Sequence, residues 1–185
     1  MKRANKMDNI QLFLFIAATT AIIIFSWFVS IRQGRHHAFY RFFSFESIAL
    51  MAILDYKYWF LNPFSVTQII SWILLFACIP VAIIGFVLLV SRGKSKGVVE
   101  FEDTSKLVTT GMYKYIRHPL YCSLLLLGFG VFLKKIETIQ IIAVIINTVA
   151  LYFTARAEER EMIKKFGDQY KEYMKKTKMF IPYLF

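Results

Sequence analysis

Five nearly uninterrupted apolar runs occupy most of this 185-residue chain and leave it few folds to choose from. A helix needs about 20 apolar residues to cross a bilayer, and in hydrocarbon its backbone must satisfy its own hydrogen bonds. Ile10–Ile31 meets that length without a single charge. Phe42–Phe60 is interrupted by Glu46, Asp55 and Lys57, and Glu46 and Asp55 read as polar ends of a short helix rather than as a substrate-side pair. Val66–Val90 carries Pro80, an expected kink that neighbouring helices tolerate. Pro119–Leu133 and Ile136–Phe153 are split only by Lys134-Lys135. Pro119 suits the first turn of a helix, where its missing donor is not needed. The expected fold is all-α, a polytopic membrane helical bundle of about five transmembrane helices with a C-terminal amphipathic helical tail. One domain covers 1–185. It divides into three N-terminal spans (1–91), a cytoplasmic loop (92–118), a transmembrane hairpin (119–157) and a cytoplasmic tail (158–185). The first run is too long for a leader core and lacks a small-residue cleavage site, so it is expected to be retained. No lipidation motif is seen at either end.

Composition agrees with a membrane protein: 57% of residues are hydrophobic and 19% charged. The net charge of +11 does not point to nucleic acid, because no helix pairs a basic face with base-reading side chains. The basic residues instead fill the gaps between apolar runs. One side holds Arg32, Arg35, Arg41, Arg92, Lys94, Lys96, Lys106, Lys114, Arg117 and everything after Phe153. The other holds Lys2, Arg3, Lys6, Lys57, Lys134 and Lys135. The richer side is expected to be cytoplasmic, with the N-terminal triplet arguing mildly against it. Cys78 and Cys122 lie inside apolar runs at no metal-ligand spacing and read as buried thiols.

After Phe153 the pattern turns amphipathic. Met162, Ile163, Phe166, Tyr170, Tyr173 and Met174 alternate with Lys164, Lys165, Lys171, Lys175 and Lys176. Gly167-Asp168 marks a break, with Asp168 as cap of a second short helix. The tail reads as lying on an anionic membrane surface, with Tyr170 and Tyr173 in an aromatic belt.

Chemistry concentrates in two places. Gly111-Met-Tyr113-Lys-Tyr-Ile-Arg117-His118-Pro119-Leu-Tyr121 is polar, ring-rich and opens into an apolar run, and Glu158-Glu159 follows one hairpin later. Charged groups at hydrocarbon depth mark sites. The short Lys134-Lys135 connection makes the flanking helices antiparallel neighbours. Arg117, His118 and Tyr121 are then expected beside Thr154, Arg156, Glu158 and Glu159 at one membrane face. Such a set of opposite charges suits a zwitterionic small molecule. Taken singly, Arg117 and His118 also read as snorkelling interface residues, and Glu158-Glu159 as a solvated helix end.

Leu107-Val-Thr-Thr-Gly111-Met-Tyr113, Arg117-His118-Pro119-Leu-Tyr121, Glu158-Glu159, Phe166-Gly167, Tyr170, Tyr173 and Ile181-Pro182 together resemble the isoprenylcysteine carboxyl methyltransferases and related phospholipid methyltransferases. The resemblance covers roughly Leu107 to Pro182. It implies an integral membrane methyltransferase that uses S-adenosyl-L-methionine, yields S-adenosyl-L-homocysteine and has no Rossmann domain. It implies cofactor contacts at Leu107, Val108, Tyr113, His118, Pro119, Leu120, Tyr121 and Glu158, with Gly111 and Glu159 completing the motifs. The substrate side falls on Thr154 and Arg156. The chain departs from the family pattern at Ser105, where a His is common, at Ser123, where Gly is favoured, and at Thr154, where an Arg is common. An intramembrane Asn usual in the eukaryotic enzymes is not evident between the clusters.

The expected reaction methylates the carboxylate of an isoprenylcysteine or similar lipid-like acceptor drawn from the membrane, with the active site facing the cytoplasm. A carboxylate is ionised at neutral pH and needs no base, whereas an amine would first lose a proton. Arg117 and His118 are the expected catalytic residues. They orient cofactor or carboxylate, and neither acts as a base. His118 is taken as the only histidine near the site, with His36 and His37 in the first loop. Ser91–Lys106 is the candidate lid. Alternatives are an amine-directed phospholipid methyltransferase, a sterol-type reductase and a non-enzymatic membrane scaffold or transporter. The natural acceptor and oligomeric state are not set by the sequence.

Overall fold

The computed structural model describes residues 7–29, 37–93 and 105–183. Among these residues there are six α-helices and no strand: α1 (Asn9–Val29), α2 (His37–Leu54), α3 (Val66–Gly93), α4 (Pro119–Phe132), α5 (Thr138–Phe166) and α6 (Asp168–Lys176). The one extended pairing is an isolated parallel bridge between Ile116 and Lys178. The residues Lys2, Arg3, Lys6, Arg32, Arg35, His36, Lys94 and Lys96, and most of the candidate lid, lie outside the described residues.

Three helices, α1, α3 and α5, are long and apolar enough to cross a membrane. The chain is therefore an integral membrane protein. α4 has 14 residues, about 21 Å at 1.5 Å per residue, which falls short of a hydrocarbon core of about 30 Å. α3 runs unbroken through Pro80. α5 is longer than the apolar run alone suggests. Its 29 residues make a rod of about 43 Å, which outreaches a hydrocarbon core of about 30 Å. Its last turns therefore carry Glu158, Glu159 and Glu161 beyond the lipid, and the helix passes through the expected hairpin–tail boundary at 157/158.

α2 packs along α5, α3 along α4, α1 against α2, and α4 against α5. One apolar cluster joins Met51, Leu75, Val131, Ala143 and Val144. A second, nearer the polar motif, joins Tyr121, Leu151, Ala155, Met179 and Phe180. The α4–α5 seam is close at Gly128: a Cβ there would meet Asn147 Nδ2 at 2.1 Å. Small residues of this kind let membrane helices approach. Large side chains such as Phe13, Ile73 and Phe76 point outward, as lipid solvation permits.

Three expectations about the tail and second span need correction. Gly167, at φ 58°, caps α6, and Asp168 is its first residue, paired with Lys171 Nζ at 2.8 Å. The aromatic face of α6 does not lie on the membrane, since Tyr170 and Tyr173 are buried against the polar motif. Glu46 sits within α2 and accepts a hydrogen bond from Thr19 Oγ1 of α1 at 3.0 Å. Asp55, just past the end of α2, accepts one from Gln140 Nε2 at 2.7 Å.

Candidate active site

The polar motif is built by three local devices. Gly111 opens a 3-10 turn over Gly111–Lys114 with φ +64°, and a Cβ there would come within 2.6 Å of Leu88. Only glycine fits both demands without strain. The turn buries Tyr113, whose hydroxyl donates to the Gly85 carbonyl at 3.3 Å on α3, while Tyr173 donates to the Tyr113 carbonyl at 2.6 Å. Residues 177–180 then run alongside 115–118. Arg117 N donates to Lys178 O at 2.8 Å, His118 N to Met179 O at 3.2 Å, and Lys178 N to Tyr115 O at 3.0 Å. Pro119 begins α4, as its ring prefers.

Arg117 is buried and fully used. Its Nε donates to Glu159 Oε1 at 2.7 Å, and its Nη1 donates to the Thr177 carbonyl at 2.5 Å and the Met174 carbonyl at 3.4 Å. Glu159 also lies 3.4 Å from Arg156 Nη1. The pair thus bolts the residues after α6 to the motif. His118 stands between two carboxylates, with Nδ1 3.6 Å from Glu158 Oε2 and Nε2 3.4 Å from Glu159 Oε1. Its ring stacks on Tyr121 at 5.4 Å. Burial alone would lower the His118 pKa, but the hydrogen bonds and charges of Glu158 and Glu159 outweigh it and raise the pKa above 6.5. Burial also raises the phenol pKa values of Tyr113, Tyr170 and Tyr173, so all three remain protonated donors.

These groups surround a cavity open to solvent at the end of the bundle where α2 and α4 begin and α3 and α5 finish. Of the residues expected from sequence, Leu107, Val108, Tyr113, Arg117, His118, Leu120, Tyr121 and Glu158 line it. Gly111, Pro119 and Glu159 lie behind the wall: Gly111 shapes the turn, Pro119 starts α4, and Glu159 turns to Arg117. Thr154 is fully buried and donates to its own helix at Ala150 O, 2.7 Å away. Arg156 lies on the outer side of α5, half exposed. Neither reaches the cavity wall.

The remaining lining was not read from sequence: His37 and Arg41 from α2, Leu89 from α3, Lys106, and Glu161, Met162, Tyr170 and Tyr173 from α5 and α6. His118 is therefore not the only histidine at the site. His37 opens α2, is buried, and holds its Nδ1 3.2 Å from both carboxylate oxygens of Glu161. Tyr170 and Tyr173 belong to the cavity rather than to an aromatic belt. The sequence did hold one signal, because Glu161 lies three residues after Glu158 and so shares its helix face. An Asn does lie between the two clusters. Asn147 is fully buried, accepts a hydrogen bond from Ser44 at 2.6 Å and is not part of the cavity wall.

A profile of the family described as "Protein of unknown function (DUF1295)" matches residues 13–177. The chain belongs to that family. The chain is 33% identical over 87 residues to protein-S-isoprenylcysteine O-methyltransferase of Homo sapiens, covering 46% of this chain and 30% of that protein. It is 31% identical over 75 residues to methanethiol S-methyltransferase 1 of Bradyrhizobium diazoefficiens, covering 39% of this chain and 25% of that protein. It is 25% identical over 158 residues to methanethiol S-methyltransferase of Crocosphaera subtropica, covering 76% of this chain and 59% of that protein. The chain thus spans less than two thirds of the length of each. These relatives bear out the resemblance to isoprenylcysteine methyltransferases read from Leu107 to Pro182. Their names give no support to the phospholipid alternative.

Proposed function

We propose that this chain is a membrane-embedded methyltransferase that transfers a methyl group from S-adenosyl-L-methionine to an apolar acceptor taken from the bilayer. One observation carries the reading: the two sequence clusters, some forty positions apart, meet in one cavity, with His118 3.6 Å from Glu158. The donor set suits this cofactor. Glu158 and Glu161 can take its ammonium and ribose hydroxyls, Arg41 and Lys106 its carboxylate, and four tyrosines its flat base. The names of the relatives agree with methyl transfer. A sterol-type reductase and a non-enzymatic scaffold have no such support.

The bound cofactor supplies an electrophilic sulfonium methyl. The chain supplies alignment and the exclusion of water, which together can contribute about 7–11 kcal/mol of a displacement barrier. Arg117 keeps the motif in register through Glu159 and Thr177. His118 stands between two carboxylates that favour its charged form and acts by position and charge. Both roles are orienting, and neither residue is a base. The acceptor is a lipid-like carboxylate such as an isoprenylcysteine, or a thiol. The carboxylate form lacks the anchor expected for it, since Thr154 and Arg156 stand outside the cavity. The cavity opens on the cytoplasmic side, in keeping with Lys106, Lys114, Lys164, Lys165, Lys171 and Lys175 at that end and only Lys57, Lys134 and Lys135 among described lysines at the other.

Titration calorimetry of the detergent-purified protein with S-adenosyl-L-homocysteine tests this. Saturable binding that is lost on Glu158→Ala is expected. Absence of binding by the intact protein removes the reading.

A further inference from the structure

At the end of the bundle away from the cavity two planar side chains meet with only half of their hydrogen bonding done. Asp55 follows the last residue of α2 and is fully buried. Gln140, in the first turn of α5, is buried too. Gln140 Nε2 donates to Asp55 Oδ1 at 2.7 Å. The other oxygen of each group, Asp55 Oδ2 and Gln140 Oε1, has no hydrogen-bond partner among the described residues. Buried polar atoms are rarely left unpaired, so two of them on one pair of side chains call for a cause. Turning the Gln140 amide over does not supply one, because it would set two acceptors against each other at 2.7 Å. A single proton on Asp55 Oδ2 satisfies both. The O–H donates to Gln140 Oε1 while the amide donates to Oδ1, and the carboxylic acid and the carboxamide close a ring of two hydrogen bonds.

We propose that Asp55 and Gln140 form a proton-operated latch between the end of α2 and the start of α5, closed when Asp55 carries a proton and open when it is ionised. The fold gives this latch its reach. α2 lies along α5 and is tied to it at three levels: His37 to Glu161 beside the cavity, Ser44 to Asn147 at mid-bundle, and Asp55 to Gln140 at the far end. Asp55 lies beyond α2 and outside the three spanning helices. Burial pushes its pKa from 3.8 up to about 6; the Gln140 hydrogen bond and Lys135 pull the other way, and Glu137 adds to the rise. The other charges at this end are engaged with one another. Lys135 pairs with Glu137 at 3.2 Å, Lys57 with Asp8 at 3.3 Å, and Lys134 with Gln68 at 3.0 Å. Lys57 is exposed two residues after Asp55, so a proton has a short way to water. The latch therefore closes as the pH on that side falls through about 6. It rests on the packing of α2 along α5 and not on the methyl-transfer reading.

The chain has four aspartates, Asp8, Asp55, Asp103 and Asp168. Isotope labelling of their carboxyl carbons and NMR titration of the detergent-purified protein therefore read Asp55 directly, its signal being the one lost in Asp55→Asn. A titration midpoint near 6 is expected. A midpoint at the ordinary aspartate value or below it overturns the latch. Asp55→Asn has a second use, because its amide closes the same ring with Gln140 at every pH without a proton. In the wild type the folded pKa is the raised one, so the contribution of Asp55 to stability is complete below 3.8 and is lost as pH rises through about 6. Over that window the folding equilibrium of the wild type is expected to fall about 10²-fold relative to that of Asp55→Asn, read as a thermal midpoint that declines more steeply in the wild type. Identical slopes in the two proteins overturn the latch and mean that a bridging water, not a proton, serves the two oxygens. If Asp55→Asn does not fold, the wild-type titration decides alone: absence of any aspartate signal titrating above the ordinary value overturns the proposal.

Discussion

The two ends of the bundle both bury charge, and they use it differently. At the far end Lys134 is clamped: its Nζ is 3.0 Å from Gln68 Oε1 and 3.6 Å from the centre of the Trp72 ring, with Trp59 beside it. Gln68 itself donates to the Tyr58 and Lys134 carbonyls. There the polar groups face one another and tie α3 to the α4–α5 connection. At the near end Arg117 and Glu159 do the same, but His37, Arg41, His118, Glu158 and Glu161 border a space. Burial of charge in a membrane bundle is thus either cement or chemistry, and what lies between the side chains tells which.

That contrast can be broken at several points. The largest effect is expected at the near-end bolt. Glu159→Ala leaves Arg117 buried without its partner, a loss of about 3–5 kcal/mol in stability, read as a fall in thermal midpoint in detergent. An unchanged midpoint would place Arg117 in the same class as the surface ion pairs. Next, Tyr173→Phe leaves the buried Tyr113 carbonyl without its donor, at about 1–3 kcal/mol, and weakens S-adenosyl-L-homocysteine binding because Tyr113 lines the cavity. At the far end, Lys134→Met removes a caged cation at a cost of about 1 kcal/mol while product affinity stays at the wild-type value. A loss of affinity there would join the two ends into one functional unit.

The gentlest effect is with pH. The folded-state pKa of His118 is raised above its ordinary value of 6.5. Its stabilising contribution is therefore complete below that value and is lost as pH rises through the elevated folded pKa. Unfolding midpoints followed from pH 6 upward should decline in the wild type and decline less in His118→Gln. Identical slopes would show that the carboxylates do not hold the proton.

The helices were legible because lipid imposes a length and a polarity that the sequence must obey. The meeting of Arg117-His118 with Glu158-Glu159 was legible because a short link, expected as two residues and observed as the five between α4 and α5, holds them as an antiparallel hairpin. His37 was not legible: it looked like loop, and only the packing of α2 along α5 brings it to Glu161. Nor was the inward turn of Tyr170 and Tyr173. An amphipathic helix carries the same pattern whether its apolar face meets lipid or protein, and here the pairing of 177–180 with 115–118 draws α6 inward. Thr154 and Arg156 sit close in sequence to Glu158. Thr154, four residues before Glu158, shares its side of α5, but its hydroxyl turns back to the Ala150 carbonyl; Arg156, two residues before Glu158, is about 200° away round the helix and faces out.

The pairing of residues 177–180 with 115–118 also bears on the order in which the protein is made. Helices α1 to α5 all precede the last wall of the chamber in the chain. A chain lacking 171–180 would keep those helices and still have no finished chamber, because Arg117 would lack the Thr177 carbonyl and His118 that of Met179. Insertion and competence are separate events in the life of this molecule, and a handful of late residues divides them.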